Sequence, residues 1–223
     1  MHEPVNVMKT RADKPMRSGT RSGLLGPLCV PAALAVFGCA STSVVVTADV
    51  PSPLVEPIPI RVGVFFDESL KGYVHEESSE DHGEFRIELG SVQIPVFERV
   101  FDALFEETVA LSSTEAAEEV AAVIVPVLEE MQFSIPAQTR GEFFEVWIKY
   151  RIDVYGRDGK LMASWPLPAY GKSNERNFGF MEDSKGSGLT EASVWALRDA
   201  AAHLSFYFPR LPAVLELAQG GQG

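Results

Sequence analysis

The residues able to do chemistry are few and scattered along the chain. His75 and His82 stand among carboxylates in residues 67–84, a composition that can bind a divalent cation. Their spacing matches no loop of defined coordination, and acidic loops are usually solvated, so we predict no metal site. The sequence contains no G-x-S-x-G, P-loop, H-E-x-x-H or G-x-G-x-x-G motif, and no pair of carboxylates has an apolar setting. We therefore predict no catalytic residue and no cofactor.

The first 38 residues are typical of a secretory signal peptide. Residues 1–21 contain five basic and two acidic side chains, a net charge of +3, and residues 24–38 then form an uncharged run of 15 residues. A bilayer requires roughly 20 apolar residues, so this run is too short to span one. Pro27 and Pro31 also disfavour a buried helix. A basic stretch followed by a short apolar run that ends in a small residue indicates an exported protein.

The apolar run ends in Val36-Phe37-Gly38-Cys39, which resembles a bacterial lipobox. In lipoproteins of that kind the chain is cut before the cysteine, which is then acylated. Cys29 lies inside the apolar run, so cleavage leaves Cys39 as the sole cysteine, without a disulfide partner. Several acyl chains on one residue anchor firmly, at roughly 0.8 kcal/mol for each buried methylene. We expect lipidation of Cys39, and because Ala40 and Ser41 are not aspartate, the resemblance implies the periplasmic face of the outer membrane.

The charge of the chain limits its partners. The whole chain carries 19 basic and 31 acidic residues, a net charge of −12. Removal of residues 1–38 takes away five basic and two acidic residues, and leaves 185 residues with a net charge of −15. A chain of this length can bury one independent core. The negative charge argues against nucleic-acid binding and against docking on anionic head groups, so we expect the lipid on Cys39 to hold the protein on the membrane.

The rest of the sequence predicts a tether, one domain and a tail. Residues 39–59 are rich in proline and serine and are expected to form an extended tether, which we prefer to a short strand at Val44-Val45-Val46. Residues 60–217 form a single domain of strand and helix patterns, and residues 218–223 are expected to be disordered. Strands are predicted at 60–66, 84–89, 109–111, 121–135, 142–155 and 160–165. Helices are predicted from Pro95 to Thr108, from Thr190 to Phe208, and at 211–217.

The strongest pattern is that of residues 142–155. Every second side chain from Phe144 to Val154 is apolar, and those between are mostly charged or amphipathic. This indicates an antiparallel strand with one dry and one wet face, joined by a turn at 156–159 to a partner strand. The predicted fold is α+β, a single antiparallel or mixed sheet with two main helices packed on one face.

Large aromatic residues on polar segments are the candidate contact residues. Trp147 and Tyr155 lie on the wetter face of the 142–155 strand. Tyr170, Phe178 and Phe180 lie in residues 166–188, where Pro, Gly, Ser and Asn predict a loop. Aromatics on a solvent face mean either a second covering layer or a contact patch. We predict that these five residues contribute to a partner-binding surface.

A family resemblance adds to this reading. The lipobox, the tether, Arg61-Val62-Gly63-Val64, the helix at 97–109 and the hairpin at 150–165 together resemble uncharacterised proteobacterial lipoproteins of the YajG type, over about residues 60–210. The order of elements is more distantly similar to small α+β domains of periplasmic assembly lipoproteins and to TolB amino-terminal domains. The resemblance implies a periplasmic α+β domain and supplies no catalytic residues.

Three functions follow as hypotheses, of which we favour the first. It is a non-enzymatic, membrane-anchored periplasmic lipoprotein that binds a protein or envelope component and assists an assembly or transport complex. The second is a carrier of lipid or of a small apolar ligand, with a cavity between helix and sheet lined by Phe144, Ile148 and Leu204. The third is a metal-dependent enzyme that uses the acidic loop around Asp67 and Glu77.

Overall fold

The computed structural model describes residues 41–115, 119–179 and 183–220, which belong to one compact unit. Cys39 and Phe180 lie outside the described residues. The strands are β1 (Ser41–Val45), β2 (Ile58–Phe65), β3 (Val74–Ser79), β4 (Gly83–Glu88), β5 (Phe105–Leu111), β6 (Ala122–Ser134), β7 (Phe143–Gly156) and β8 (Leu161–Asn174). The α-helices are α1 (Glu68–Lys71), α2 (Gly90–Leu104), α3 (Pro136–Thr139), α4 (Ser184–Tyr207) and α5 (Pro212–Gly220). Short 3-10 helices follow at Glu175–Asn177 and Phe208–Arg210.

The strands form two sheets, so the prediction of a single sheet with two main helices on one face was wrong. In the small sheet, of order β1-β4-β3, β1 is parallel and β3 antiparallel to β4. In the large sheet, of order β5-β2-β6-β7-β8, β2 is parallel to both its neighbours and the last three strands are antiparallel. Phe85 of the small sheet packs against Phe133 of the large one, with ring centroids 5.0 Å apart. The buried residues of both sheets therefore share one hydrophobic core.

The small sheet is built from two segments whose composition predicts something else. Residues 74–79 belong to the predicted acidic loop, yet they form β3, with the glutamates exposed on an edge strand. Residues 41–45 belong to the predicted tether, yet they form β1. Val44 lies opposite Ile87 in the register, and both side chains are buried. This pairing joins segments about 40 residues apart, and such a long-range contact overrides local preference.

After β1 the chain lies against α2 and α4 as a strap, defined here as residues 46–53. Val46 and Val50 of the strap are buried in the core. Arg99 of α2 donates hydrogen bonds to the Asp49 carboxylate, at 2.5 Å, and to the carbonyl oxygen of Val50. Arg198 of α4 donates to the carbonyl oxygen of Asp49 at 3.1 Å. The strap is thus bonded to both long helices, and this part of residues 39–59 is not a free tether.

Alternation along β7 places the core on one side of the large sheet. The even-numbered side chains from Phe144 to Val154 are all buried. The Phe97 ring of α2 meets Tyr150 edge-on, with centroids 5.1 Å apart, and Gly188 of α4 lies directly against the Phe144 ring. Both long helices therefore cover the even-numbered face, here called the inner face. The odd-numbered side chains point to the opposite, outer face.

A bulge in β6 keeps its side chains in step with β7. The register shifts between Leu128 and Glu130, so Ala122 and Ile124 before the bulge and Met131 and Phe133 after it all face the core. β2 pairs with β6 at Val123 and Ile124, ahead of Pro126. At Pro126, β6 therefore has a neighbouring strand, β7, on one side only. Such an edge position tolerates proline, which has no backbone N–H to donate.

The partner strand of β7 is longer than predicted. β8 continues to Asn174, so the loop predicted at 166–188 was wrong over its first part. Pro166 and Pro168 suggest a loop, but β8 is an edge strand, where proline is tolerated. Two side chains of α4 cap this edge. The Asp199 carboxylate accepts from the N–H of Tyr170 at 2.9 Å, and Nδ1 of His203 lies 3.2 Å from the carbonyl oxygen of Pro168.

Both long helices begin earlier than predicted. α2 starts at Gly90 rather than near Pro95, which lies in its second turn. α4 starts at Ser184 rather than at Thr190, because Asp183 accepts the N–H of Gly186 at 3.0 Å and caps the helix there. The glycines at 186 and 188 lower helix propensity and conceal this first part of α4 from sequence analysis.

Close contact between α4 and β8 yields a stability prediction. A Cβ atom at Gly171 would overlap the carbonyl oxygen of Ala192 and the amide nitrogen of Ala196, both of them backbone atoms. Gly171→Ala should therefore lower the free energy of unfolding by about 1–3 kcal/mol, and the Tm by about 2–4 °C for each kcal/mol. Gly220→Ala is the matched control, because nothing lies within 4 Å of that position. Equal melting temperatures of the two variants would contradict this packing.

Candidate functional site

Two of the predicted contact residues form a pair on the outer face of the large sheet. Trp147 of β7 and Tyr170 of β8 lie opposite each other in the register, and their ring centroids are 5.4 Å apart. They remain 40% and 37% exposed, on the side away from both long helices. Two rigid aromatic side chains held on adjacent strands provide contact area at low entropic cost.

Glu145 fixes the orientation of this pair. Tyr170 donates its hydroxyl to Oε1 of Glu145 at 2.6 Å, and the Ser134 hydroxyl donates to Oε2 at 3.2 Å. Partial burial, followed by the effect of the Glu145 carboxylate, raises the pKa of Tyr170 to about 12. The phenol is therefore neutral over the physiological range and acts as a donor.

A shallow groove of about 340 Å³ opens beside Trp147. It lies between β6, β7 and β8 and is lined by Glu130, Gln132, Trp147, Ile148, Lys149, Pro168 and Ala169. Its floor is apolar, while Glu130 and Lys149 supply one charge of each sign at its rim. An apolar centre with a polar rim is the arrangement of a protein-contact site.

A charge network holds the strands next to the groove. Glu129 accepts from Lys149 at 3.0 Å and from Arg151 at 2.8 Å, and these bonds lower the pKa of the Glu129 carboxyl. Arg151 also pairs with the buried Asp153, which in turn accepts the Ser164 hydroxyl at 2.7 Å. The network links β6, β7 and β8 across the outer face. All of its charges are paired, so its role is to position the strands.

The other predicted contact residues do not join this pair. Tyr155 lies eight residues from Trp147, about 27 Å along β7, and packs into a small cluster with Val120, Val123 and Val125. Phe178 meets Phe144, with ring centroids 6.2 Å apart, at the margin of the inner core. Phe180 lies outside the described residues. The structure thus brings together Trp147 and Tyr170, and gives Tyr155 and Phe178 packing roles.

Sequence analysis missed a second set of exposed aromatic residues. Trp195, Phe206 and Tyr207 are about half exposed on α4. Trp195 and Phe206 are 11 residues apart, which places them on one face of a helix, opposite the buried Leu197 and Leu204. A helical projection of α4 would have shown this stripe, but the apolar stripe that faces the core dominates the pattern.

Of the two histidines of the acidic segment, His75 packs through its ring, and His82 is contacted at its backbone. Nδ1 of His75 lies 3.4 Å from the Tyr73 hydroxyl, Nε2 lies 3.6 Å from Glu77, and the ring meets Phe133 edge-on. Lys185 of α4 donates to the carbonyl oxygen of His82. Among the described residues, no group of three or more His, Cys, Asp or Glu side chains could hold a metal ion. Within the same residues, no helix is long and apolar enough to cross a bilayer.

Comparison with solved structures finds bacterial proteins of very low sequence identity. A Xanthomonas campestris protein described as DUF330 is 9% identical with a TM-score of 0.48, covering 82% of this chain and 99% of its own. A Helicobacter pylori protein described as a neuraminyllactose-binding hemagglutinin homolog is 8% identical with a TM-score of 0.43, covering 79% and 99%. A hypothetical protein of Chlamydia trachomatis is 11% identical with a TM-score of 0.35, covering 69% and 99%.

These neighbours include uncharacterised bacterial proteins, and at such scores they indicate no function for this chain. None of the three is described as a YajG-type protein or as a lipoprotein. The sequence matches no family model. It also has no significant match among curated proteins.

The hydrogen bond between Tyr170 and Glu145 yields a pH prediction. The folded-state pKa of Tyr170 is raised to about 12, whereas the ordinary tyrosine pKa is about 10. The contribution of this shift to folding stability is therefore complete below about pH 10 and is lost as the pH rises from there toward 12. Glu145→Gln should lower the pKa of Tyr170, as followed by phenolate absorbance. The Tyr170→Phe spectrum, subtracted from that of the unmodified protein, isolates the signal. Titration of Tyr170 at the ordinary value in the unmodified protein would contradict the geometry.

Proposed function

We propose that this protein is a non-enzymatic lipoprotein, anchored through Cys39 to the periplasmic face of the outer membrane, that binds a protein component of the envelope. In this proposal it assists an assembly or transport complex, and its resemblance to YajG-type lipoproteins belongs to the same hypothesis. The single observation that carries the binding role is the exposed Trp147–Tyr170 pair beside the groove on the outer face.

Three features of this surface support a protein partner. The aromatic pair is held by the Glu145 hydrogen bond, so little side-chain entropy is lost when a partner binds. The groove is apolar and shallow, which suits one or two side chains of another protein. The rim of the groove carries charges of both signs, Glu130 and Lys149, which can meet complementary groups of a partner.

The alternative of a lipid or ligand carrier has less support. Phe144, Ile148 and Leu204, the residues predicted to line its cavity, are at most 2% exposed and belong to the hydrophobic core. The Phe144 ring lies so close to Gly188 that even a methyl group at that position would overlap it. A cavity between helix and sheet would require these contacts to open. Lipid that co-purifies with the protein, detected by native mass spectrometry, would favour the carrier.

The partner surface is tested by crosslinking in intact cells, followed by affinity measurements with the captured protein. Trp147→Ala combined with Tyr170→Ala should weaken binding by at least about 30-fold, since an aromatic anchor contributes about 2 kcal/mol or more. Both residues are partly exposed, so the Tm should change little. Trp195→Ala, an exposed tryptophan on the helical side, is the control and should leave the affinity unchanged. Unaltered binding by the double variant would rule out this surface.

The anchor is tested by labelling cells with radioactive palmitate. The unmodified protein should incorporate label and fractionate with the outer membrane, because acylation of the Cys39 thiol and the new amino group holds it there. Cys39→Ala should abolish the label, whereas Cys29→Ala should retain it, because Cys29 lies in the segment removed by cleavage. Recovery of an unlabelled, full-length protein from the cytosol would overturn both the anchor and the location.

A further inference from the structure

The exposed side of α4 carries a stripe of aromatic and cationic residues. Trp195, Arg198, Ala202 and Phe206 follow one another at spacings of three and four residues, so they share one face along about 16 Å of helix. All four are exposed, and the two aromatic side chains remain 47% and 54% accessible. These four residues together with Arg210, which follows the helix, are called the α4 stripe below.

Arginine side chains lie over the aromatic rings of the α4 stripe. The Arg198 guanidinium stands 5.1 Å from the Trp195 ring centroid, and that of Arg210 stands 3.9 Å from the Phe206 centroid. No residue of the stripe is acidic, in a chain with a net charge of −12. Of the acids on or beside α4, Asp199 binds the Tyr170 N–H and Asp49 pairs with Arg99. Glu191 lies one helical turn before Trp195, ahead of the stripe. The α4 stripe itself thus combines two arginines with two exposed aromatic side chains and has no carboxylate of its own.

Such a combination fits the head-group region of a bilayer better than a protein surface. Tryptophan and phenylalanine partition to the boundary between head groups and acyl chains, and arginine extends to the phosphates. Each arginine near an anionic surface adds electrostatic attraction. The net charge of −15 after cleavage predicts repulsion between the domain as a whole and anionic lipids. The residues of the α4 stripe, however, carry two positive charges and no negative one.

The chain on the amino-terminal side runs along the same helix. Thr42 of β1 pairs with Phe85, and the Lys185 ammonium of α4 lies 5.8 Å from the Phe85 ring centroid, so β1 begins near the start of α4. Further along, Arg198 binds Asp49. The strap residues Val50–Pro53 then line an apolar groove of about 430 Å³ against Arg198, Ala201, Ala202 and Ser205. Residues 42–53 thus accompany α4 for about 30 Å of its length.

The position of the proposed lipid follows from chain connectivity. Cys39 precedes Ser41 by two residues, so their Cα atoms are at most about 7 Å apart. A lipid on Cys39 would enter the bilayer near the start of α4. The α4 stripe occupies the following turns, and the fully exposed Leu54 comes directly after the strap.

We infer that the α4 stripe docks on the surface of the anionic phospholipid bilayer and orients the domain with α4 parallel to the membrane. The inference rests on the proposed lipid anchor for its attachment point. Because α4 covers the inner face of the large sheet, the outer face with Trp147 and Tyr170 then points away from the membrane. The lipid and the stripe are two contacts along one helix, and together they orient the domain.

Fluorescence quenching by lipid tests this orientation. The full chain, expressed in bacteria and purified from membranes, is reconstituted in vesicles of phosphatidylethanolamine and phosphatidylglycerol whose acyl chains carry bromine. Trp147→Phe with Trp165→Phe leaves Trp195 as the only reporter, and Trp165→Phe with Trp195→Phe leaves Trp147. We expect Trp195 to lose most of its fluorescence while Trp147 keeps nearly all of it. Equal quenching of the two, or stronger quenching of Trp147, would overturn the inference.

A pair of matched substitutions isolates the α4 stripe. Phe206→Ala should reduce the quenching of Trp195, whereas Leu161→Ala, at a residue of nearly equal exposure on β8, should not. The Tm of each variant shows whether its fold is retained. Should Phe206→Ala destabilise the domain, Arg198→Gln provides the same test. Equal effects of the stripe substitution and the β8 substitution would contradict a lipid-facing stripe.

Vesicle flotation and the mass of the Cys39 peptide report the anchor separately. If the acylated protein floats but Trp195 is not quenched, the result supports the lipid anchor and refutes docking of the α4 stripe on the bilayer. If the protein is not acylated but still floats with Trp195 quenched, the result refutes the lipid anchor and supports docking of the α4 stripe. A protein that does not float refutes both.

Discussion

The rest of the structure depends on the uninterrupted alternation of β7. From Phe144 to Val154 each even-numbered side chain is buried, and the odd-numbered ones lie on the other face. A shift of one residue would place six core side chains in water and charged residues in the core, so the register is strongly determined. This single strand defines which face receives α2 and α4 and which face carries Trp147. The bulge in β6 and the length of β8 are adjustments that keep neighbouring strands in that register.

One buried polar group adds specificity to the packing of this face. Tyr150, in the middle of β7, donates its hydroxyl to Oε1 of Gln93 at 2.9 Å, and Nε2 of Gln93 donates to the carbonyl oxygen of Leu70 at 2.6 Å. Burial raises the pKa of Tyr150, so its hydroxyl stays protonated and remains a donor. An unpaired buried polar group costs about 1–3 kcal/mol. These two bonds therefore favour one position of α1 and α2 relative to the sheet.

Sequence analysis predicted the elements whose structure follows from their own residue pattern, and it missed those whose structure depends on distant parts of the chain. β7 and β4 alternate strictly and were predicted almost to the residue, and the exposed position of Trp147 followed from the same alternation. β3 was missed because its strand state depends on pairing with β4 and not on its own composition. At β1, Val44-Val45-Val46 also fits a short strand, but the prolines and serines around it favoured the tether. The end of β8 was missed because Pro166 and Pro168 favour a loop, and only its place at the sheet edge permits a strand. Tyr170 was consequently assigned to a loop, although it lies beside Trp147 on the neighbouring strand.

The two aromatic surfaces differ in the charge that accompanies them, and this difference separates their partners. On the outer face, Trp147 and Tyr170 neighbour charges of both signs: Glu145 accepts the Tyr170 hydroxyl, Lys149 lies beside Trp147, and Lys172 lies opposite Glu145 in the register. A protein can present complementary groups of both signs to such a surface. On α4, the rings of Trp195 and Phe206 lie beneath arginines, and the stripe has no carboxylate of its own. Because α4 lies against the inner face of the same sheet, the two aromatic surfaces point in opposite directions, so the proposed lipid contact on α4 would leave the Trp147–Tyr170 surface open to the proposed partner.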